Sequence, residues 1–154
     1  MYFIAVAGFM LLFPLISIGL DVVLNHQAMT ISLAGHWYVF WAVGVRLFSA
    51  GLKQTIQPSY TAKKILGIEG DDVFLVVREL GFANLSIGAV GLASIYFNEW
   101  TLAGALSGGL FYGFAGISHV LHKKRNTLQN VAMVTDLLAA TLLLGFFMLT
   151  MLVR

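Results

Sequence analysis

The chain has 154 residues, enough for one domain and no second at about 100 to 200 residues each. Hydrophobic side chains make up 59% of it and charged ones 10%, against roughly 45–50% and 25% in soluble proteins; this excludes disorder and argues against a water-soluble globule. Nine Lys and Arg against seven acids are too few and too scattered for a nucleic-acid footprint. With no cysteine, disulfide exchange, thiolate nucleophiles, Fe–S clusters and Cys-based zinc sites are excluded, so redox chemistry would belong to a bound cofactor.

A spanning helix needs about 20 mostly apolar residues, and five stretches meet that length: Met1 to Leu24, His36 to Gln57, Val73 to Phe97, Trp100 to Leu121 and Asn130 to Val153. The fold expected is therefore all-α, a polytopic transmembrane bundle of five spans in a single integral domain over residues 1–154. The first stretch lacks a basic n-region and an Ala-x-Ala-like cleavage site, so it reads as a span with a kink at Pro14 rather than a signal peptide. Residues 25–35 and 58–72 read as loops, Asn98 and Glu99 as a near-absent turn, and residues 122–129 as a basic link.

Lys53, Lys63, Lys64, Lys123, Lys124 and Arg125 fall on one side of these spans and Arg154 on the other. The bias places the N-terminus and both basic loops in the cytoplasm and the C-terminus outside. It also accounts for the isoelectric point near 9.0: the basic residues anchor to anionic headgroups. No repeat of 20 to 50 residues is visible that would support a solenoid or an inverted-repeat transporter.

Ionisable residues inside a span cost at least about 2.5–3.5 kcal/mol each, so each must be paired, snorkelled or functional. Arg46, Lys53, Arg78, Glu79, His119 and Asp136 are such residues. At about 1.5 Å per residue from the cytoplasmic ends, Lys53 and His119 lie shallow, Arg78, Glu79 and Asp136 about 7–10 Å deep, and Arg46 about 16 Å deep. The outer half holds Asp21 and the interfacial aromatics Trp37, Tyr38, Trp41, Tyr96 and Trp100; a site would open inward. Glu79 and His119 are equidistant from the turn at Asn98 and Glu99, so they share a level on neighbouring antiparallel helices, and Asp136 comes within a turn of it.

Two interpretations of this layer stay open. An excess of positive charge at Arg46 and Lys53 would suit an anionic or carbonyl-bearing ligand, with Glu79, His119 and Asp136 handling protons. Alternatively Arg46 or Arg78 with Glu79, and Lys53 with Asp136, form a self-neutralising lock, with Arg78 the readiest to snorkel. Ser49, Gln54, Asn84, Ser86, Tyr112, Ser118 and Thr135 deepen the polar region. Asn84 needs an interhelical partner, and Tyr112 with Gly116 and His119 forms a stripe that is either a wall for a flat ligand or ordinary core. Gly104 and Gly108, then Gly109 and Gly113, have the Gly-x-x-x-Gly spacing of close helix approach, within the bundle or at an oligomer contact. No His set at metal-ligand spacing lies inside the spans.

The run Arg46-Leu-Phe-Ser-Ala-Gly-Leu-Lys53 resembles the opening helix of the DoxX-like membrane proteins, and Glu79 with its glycine-rich continuation to Leu92 is similar to the next helix of that family. Residues 51–58, Arg78 to Asn84, Ala115 to His119 and Asn130 to Asp136 are more closely similar to a family of small prokaryotic membrane proteins of unknown function, over roughly residues 36–140. The resemblance implies a four-helix core with an additional N-terminal helix, in a cell inner membrane. It also makes quinone-linked or respiratory-associated roles an expectation, although the extra span and the lack of cysteine speak against a sulfur relay.

The leading functional expectation is a binding or accessory subunit holding a small amphipathic ligand, a quinone or a lipid, with Arg46, Lys53, Arg78, Glu79, Asn84, Tyr112, His119 and Asp136 as ligand-binding or proton-handling residues. A proton-coupled permease and a structural subunit of a larger membrane complex or homo-oligomer are the alternatives. An independent enzyme is least favoured, since no nucleophile elbow and no phosphate-cradling loop is present.

Overall fold

The computed structural model describes residues 2–153, all helices and their connections with no strand among them. Met1, the first residue of the expected first span, and Arg154, the basic residue placed on the far side, lie outside the described residues. The helices are α1 (residues 2–24), α2 (residues 31–56), a short α3 (residues 58–66), α4 (Val73–Ala93), α5 (Trp100–Leu121) and α6 (Thr127–Val153). Ala5–Leu24 of α1, α4 and α6 are each long and apolar enough to cross a membrane. Their outward faces carry large apolar side chains: Leu15 is 62% exposed, Leu75 64% and Leu152 78%. Water would penalise such a surface and lipid would not.

Several boundaries differ from the sequence expectation. Helix α2 begins at Ile31, not His36, because Thr30 caps it by accepting the Leu33 N–H at 3.1 Å. The expected loop 58–72 contains α3, which opens on Pro58 and stops at Gly67, whose φ of +69° is cheap for glycine. The basic link ends in a reciprocal cap: Asn126 Oδ1 accepts the Gln129 N–H and Gln129 Oε1 accepts the Asn126 N–H, both at 2.9 Å.

Helix α2 is the axis of the bundle, with α1, α4, α5 and α6 packed around it. Trp37 and Trp41 donate to Asp21 and Ser17 of α1 at 2.6 and 2.9 Å, so these two aromatics stitch helices together rather than standing only at an interface. Along α4 the backbones nearly touch. A Cβ on Gly91 would stand 2.4 Å from the Gly44 amide nitrogen, and one on Gly88 would stand 2.5 Å from that of Phe48. Gly104 and Gly108 of α5 make room for Val39 and Val43, and Gly109 and Gly116 for Leu144 and Leu137 of α6. The glycine spacing therefore serves internal packing.

The short α3 is π-wound over Tyr60–Leu66, and two of the long helices are locally widened as well, each widening being answered by a tyrosine. In α1 the π-turn Gly8–Leu12 precedes Pro14. Proline has no N–H, so the Met10 carbonyl four residues earlier loses its helical donor, and the Tyr38 hydroxyl donates to it at 2.5 Å. In α2 the π-segment Val39–Val45 sends the Arg46 N–H to the Trp41 and Val43 carbonyls, passing over Ala42. The buried Tyr112 hydroxyl donates to the Ala42 carbonyl.

Because the α2–α4 contact is made of backbone, Gly91→Leu should push the helices apart and destabilise the protein by about 1–3 kcal/mol or more, the range for overpacking. Gly19→Leu on α1, where an added Cβ meets nothing within 4 Å, should leave the melting temperature in detergent nearly unchanged.

Candidate functional site

Antiparallel packing gathers the start of α1, the end of α2, α3, the start of α4, the end of α5 and the start of α6 at one end of the bundle. There they enclose a cavity of about 360 Å³, at the small end of ligand-binding cavities. Val6 and Phe9 of α1, Leu47 of α2, Ile65 and Leu66 of α3, and Phe111 and Ala115 of α5 form apolar walls. Arg46, Lys53, Gln54, Asn84, Tyr112, His119 and Asp136 bring the polar groups. Of the residues expected at a site, Arg46, Lys53, Asn84, Tyr112, His119 and Asp136 thus line one cavity.

Arg46 and Asp136 form the central pair. The guanidinium donates to Asp136 Oδ1 at 2.8 Å, with both side chains about nine-tenths buried, at 12% and 9% exposure. It also donates to Met10 Sδ at 3.1 Å and Thr135 Oγ1 at 3.4 Å, and its carbon lies 4.8 Å from the centre of the Tyr112 ring. Arg46 is placed by the widened segment of α2, and Tyr112 holds both that segment and the cation above its ring. The pairing differs from both expected pairings. Asp136, facing α2 from α6, takes Arg46, while Lys53 is exposed, donates to Gln57 Oε1 at 2.5 Å and lies 4.7 Å from the Tyr60 ring centre. The interior layer is neutralised, and positive charge remains at the rim.

The second polar contact crosses from α4 to α2. Asn84 Nδ2 donates to Gln54 Oε1 at 2.7 Å, both residues buried. This is the interhelical partner that an amide within a span requires.

Arg78 and Glu79 do not reach this cavity. Both are exposed on the side of α4 away from α2, because the face of α4 that meets α2 carries Gly81, Asn84, Gly88 and Gly91. The Glu79–His119 pair expected from their equal count to the turn is not made: Glu79 is exposed, while His119 is half-buried in the cavity wall. Ser86 and Ser118 are likewise exposed and outside the cavity, whereas Ser49, also exposed, lines its edge.

Sequence reasoning missed the cover of the site. Helix α3 contributes Tyr60, Thr61, Ile65 and Leu66 to the cavity and keeps Lys63 and Lys64 outward. It is tied down by Asn126 Nδ2 and Gln129 Nε2, which donate to the Ile65 and Leu66 carbonyls at 3.0 Å each. The signal was present as Pro58-Ser59 at one end and Gly67 at the other, a helix start and stop. Arg125 completes this end by donating to the His119 and His122 carbonyls at the end of α5, at 2.8 and 2.7 Å.

An all-helical bundle in which three helices are long and apolar enough to cross a membrane fits a membrane protein. The chain matches the model of the family of unknown function DUF6790 over residues 1–154 and belongs to that family. No curated protein and no solved structure matches it. The family match supplies no DoxX-like link.

Removing one member of a buried ion pair leaves an uncompensated charge, at a cost of about 3–5 kcal/mol. Asp136→Asn should therefore lower the thermal midpoint strongly, whereas Arg46→Met combined with Asp136→Leu should lose much less than the two single changes summed. A double-mutant thermal-denaturation cycle in one detergent measures this.

Proposed function

We propose that this protein is a five-span inner-membrane protein that holds a small amphipathic ligand, a lipid or a quinone, in the cavity at its cytoplasmic end, as a carrier or accessory subunit. The carrying observation is the cavity itself: apolar walls from three long helices and α3 converge with buried polar pairs on one half-open space. Helices α2 and α5, rich in Gly and polar side chains, cross beside the three more apolar ones. The four-helix DoxX-like core belongs to this proposal and is supported by the sequence motifs alone.

Orientation follows from the basic residues. Lys53, Lys63, Lys64, Lys123, Lys124 and Arg125 stand at the end of the bundle that holds the cavity, which supports a cytoplasmic position for that end. The ligand's apolar part would lie against Val6, Phe9, Phe111 and Ala115 and its polar part toward Gln54, Asn84 and His119, with Lys53 at the rim. Of the titratable side chains that line the cavity, His119 and Asp136 would handle any proton exchanged with the ligand. Arg46 acts through its pair with Asp136 by setting the neutral floor of the site.

The test is native mass spectrometry of protein released from its own membranes, with solvent extraction to identify small molecules. Ala115→Leu is the informative variant, since it fills the cavity without touching either polar pair, whereas Arg46→Ala would break the fold-stabilising pair as well. The expected outcome is a discrete bound mass in the wild type that Ala115→Leu removes while its helical circular dichroism is retained. A bound mass that survives Ala115→Leu, or a wild type that carries nothing, counts against the proposal.

A further inference from the structure

The two charged residues that the cavity excludes lie in an apolar helix that faces outward. Arg78 and Glu79 are exposed on α4, in a stretch compatible with a membrane span, and among the described residues neither makes an ion pair or a side-chain hydrogen bond. An unpaired carboxylate on a lipid-facing helix surface is costly and calls for a partner. At 3.6 residues per turn, Leu75 and Phe82 fall on one line along α4, and Arg78 and Glu79 lie about 50° to either side of it. Ser86 and Ala89 continue that line, within about 30°. All of these residues are exposed, with Leu75 at 64% and Phe82 at 51%.

We propose that this face of α4 is a two-fold interface with a second copy of the chain, in which Arg78 of each protomer pairs with Glu79 of the other. The occupant follows from charge complementarity. The face carries a cation on one flank and an anion on the other, at heights differing by about 1.5 Å. A two-fold axis along the helices brings the cationic flank of one copy opposite the anionic flank of the other, forming two reciprocal pairs. An anionic lipid would satisfy Arg78 and leave Glu79 repelled. Between the charges, Phe82 and Leu75 supply apolar contact, and Ser86 and Ala89 are small enough for close approach toward the far end of the helix. The interface leaves the cavity untouched, since α4 faces it with Leu80 and Asn84.

The absence of native cysteine makes the test direct. Ser86→Cys is introduced into the full chain and oxidised with copper phenanthroline in the native membrane, with Leu142→Cys, exposed on α6, as the lipid-facing control. Ser86→Cys should give a homodimer band and Leu142→Cys should not. In the Ser86→Cys background, Arg78→Glu or Glu79→Arg alone should cut the cross-linked fraction about tenfold, since like charges then oppose across the axis. Combining Arg78→Glu with Glu79→Arg should restore it, which a folding defect would not do. The proposal is overturned by equal cross-linking of Ser86→Cys and Leu142→Cys, by a Ser86→Cys adduct with a protein of different mass, or by a homodimer band that neither charge reversal changes.

Discussion

A guanidinium carried into the middle of an apolar bundle is the constraint around which this structure is arranged. Arg46 cannot stay there uncompensated, and the groups that meet it come from three other helices: Asp136 and Thr135 from α6, Met10 from α1 and the Tyr112 ring from α5. The cation thereby sets the rotation of each neighbour about the central helix. A buried pair of this kind is weak as a source of stability compared with an apolar substitute, but it disfavours alternative registers that would strand either charge.

The backbone of α2 is shaped to the same end. Its widened segment brings Arg46 to the Asp136 level at the cost of an Ala42 carbonyl bypassed by the helix, and the Tyr112 hydroxyl satisfies that oxygen. The same relation recurs where Pro14 frees the Met10 carbonyl for Tyr38. In a medium without water a freed carbonyl must find a protein donor, so helix irregularity and tyrosine placement are one feature. Next to these polar contacts, α2 and α4 approach through Gly44, Gly88 and Gly91, where dispersion between backbones replaces the hydrophobic effect that lipid cannot supply.

The cavity results from the different lengths and ends of the helices. At the end where Arg46 and Asp136 close its floor, α3 forms a cover held by side chains of the α5–α6 connection. With the interior charges cancelled, the cavity keeps the Gln54 and Asn84 amides as buried polar groups, and Lys53 is exposed at its rim. Charges that do not fit this layer, Arg78 and Glu79, are turned to the outside of the bundle, where they define a second surface of quite different character.

Hydropathy, helix length and the polar residues within apolar stretches were enough to read an all-helical chain with helices able to cross a membrane and to point to Arg46, Lys53, Arg78, Glu79, Asn84, Tyr112, His119 and Asp136, of which all but Arg78 and Glu79 line the cavity. The Gly-x-x-x-Gly spacing likewise signalled close packing. Depth along a helix can be counted from sequence, but rotation about its axis cannot, and rotation separated Glu79 from His119 and paired Asp136 with Arg46 instead of Lys53. The widened turns, the cover formed by α3 and the capture of Trp37 and Trp41 by α1 were also tertiary outcomes. Each depends on which backbone or side-chain group a neighbouring helix presents at that height, and no single segment contains that information.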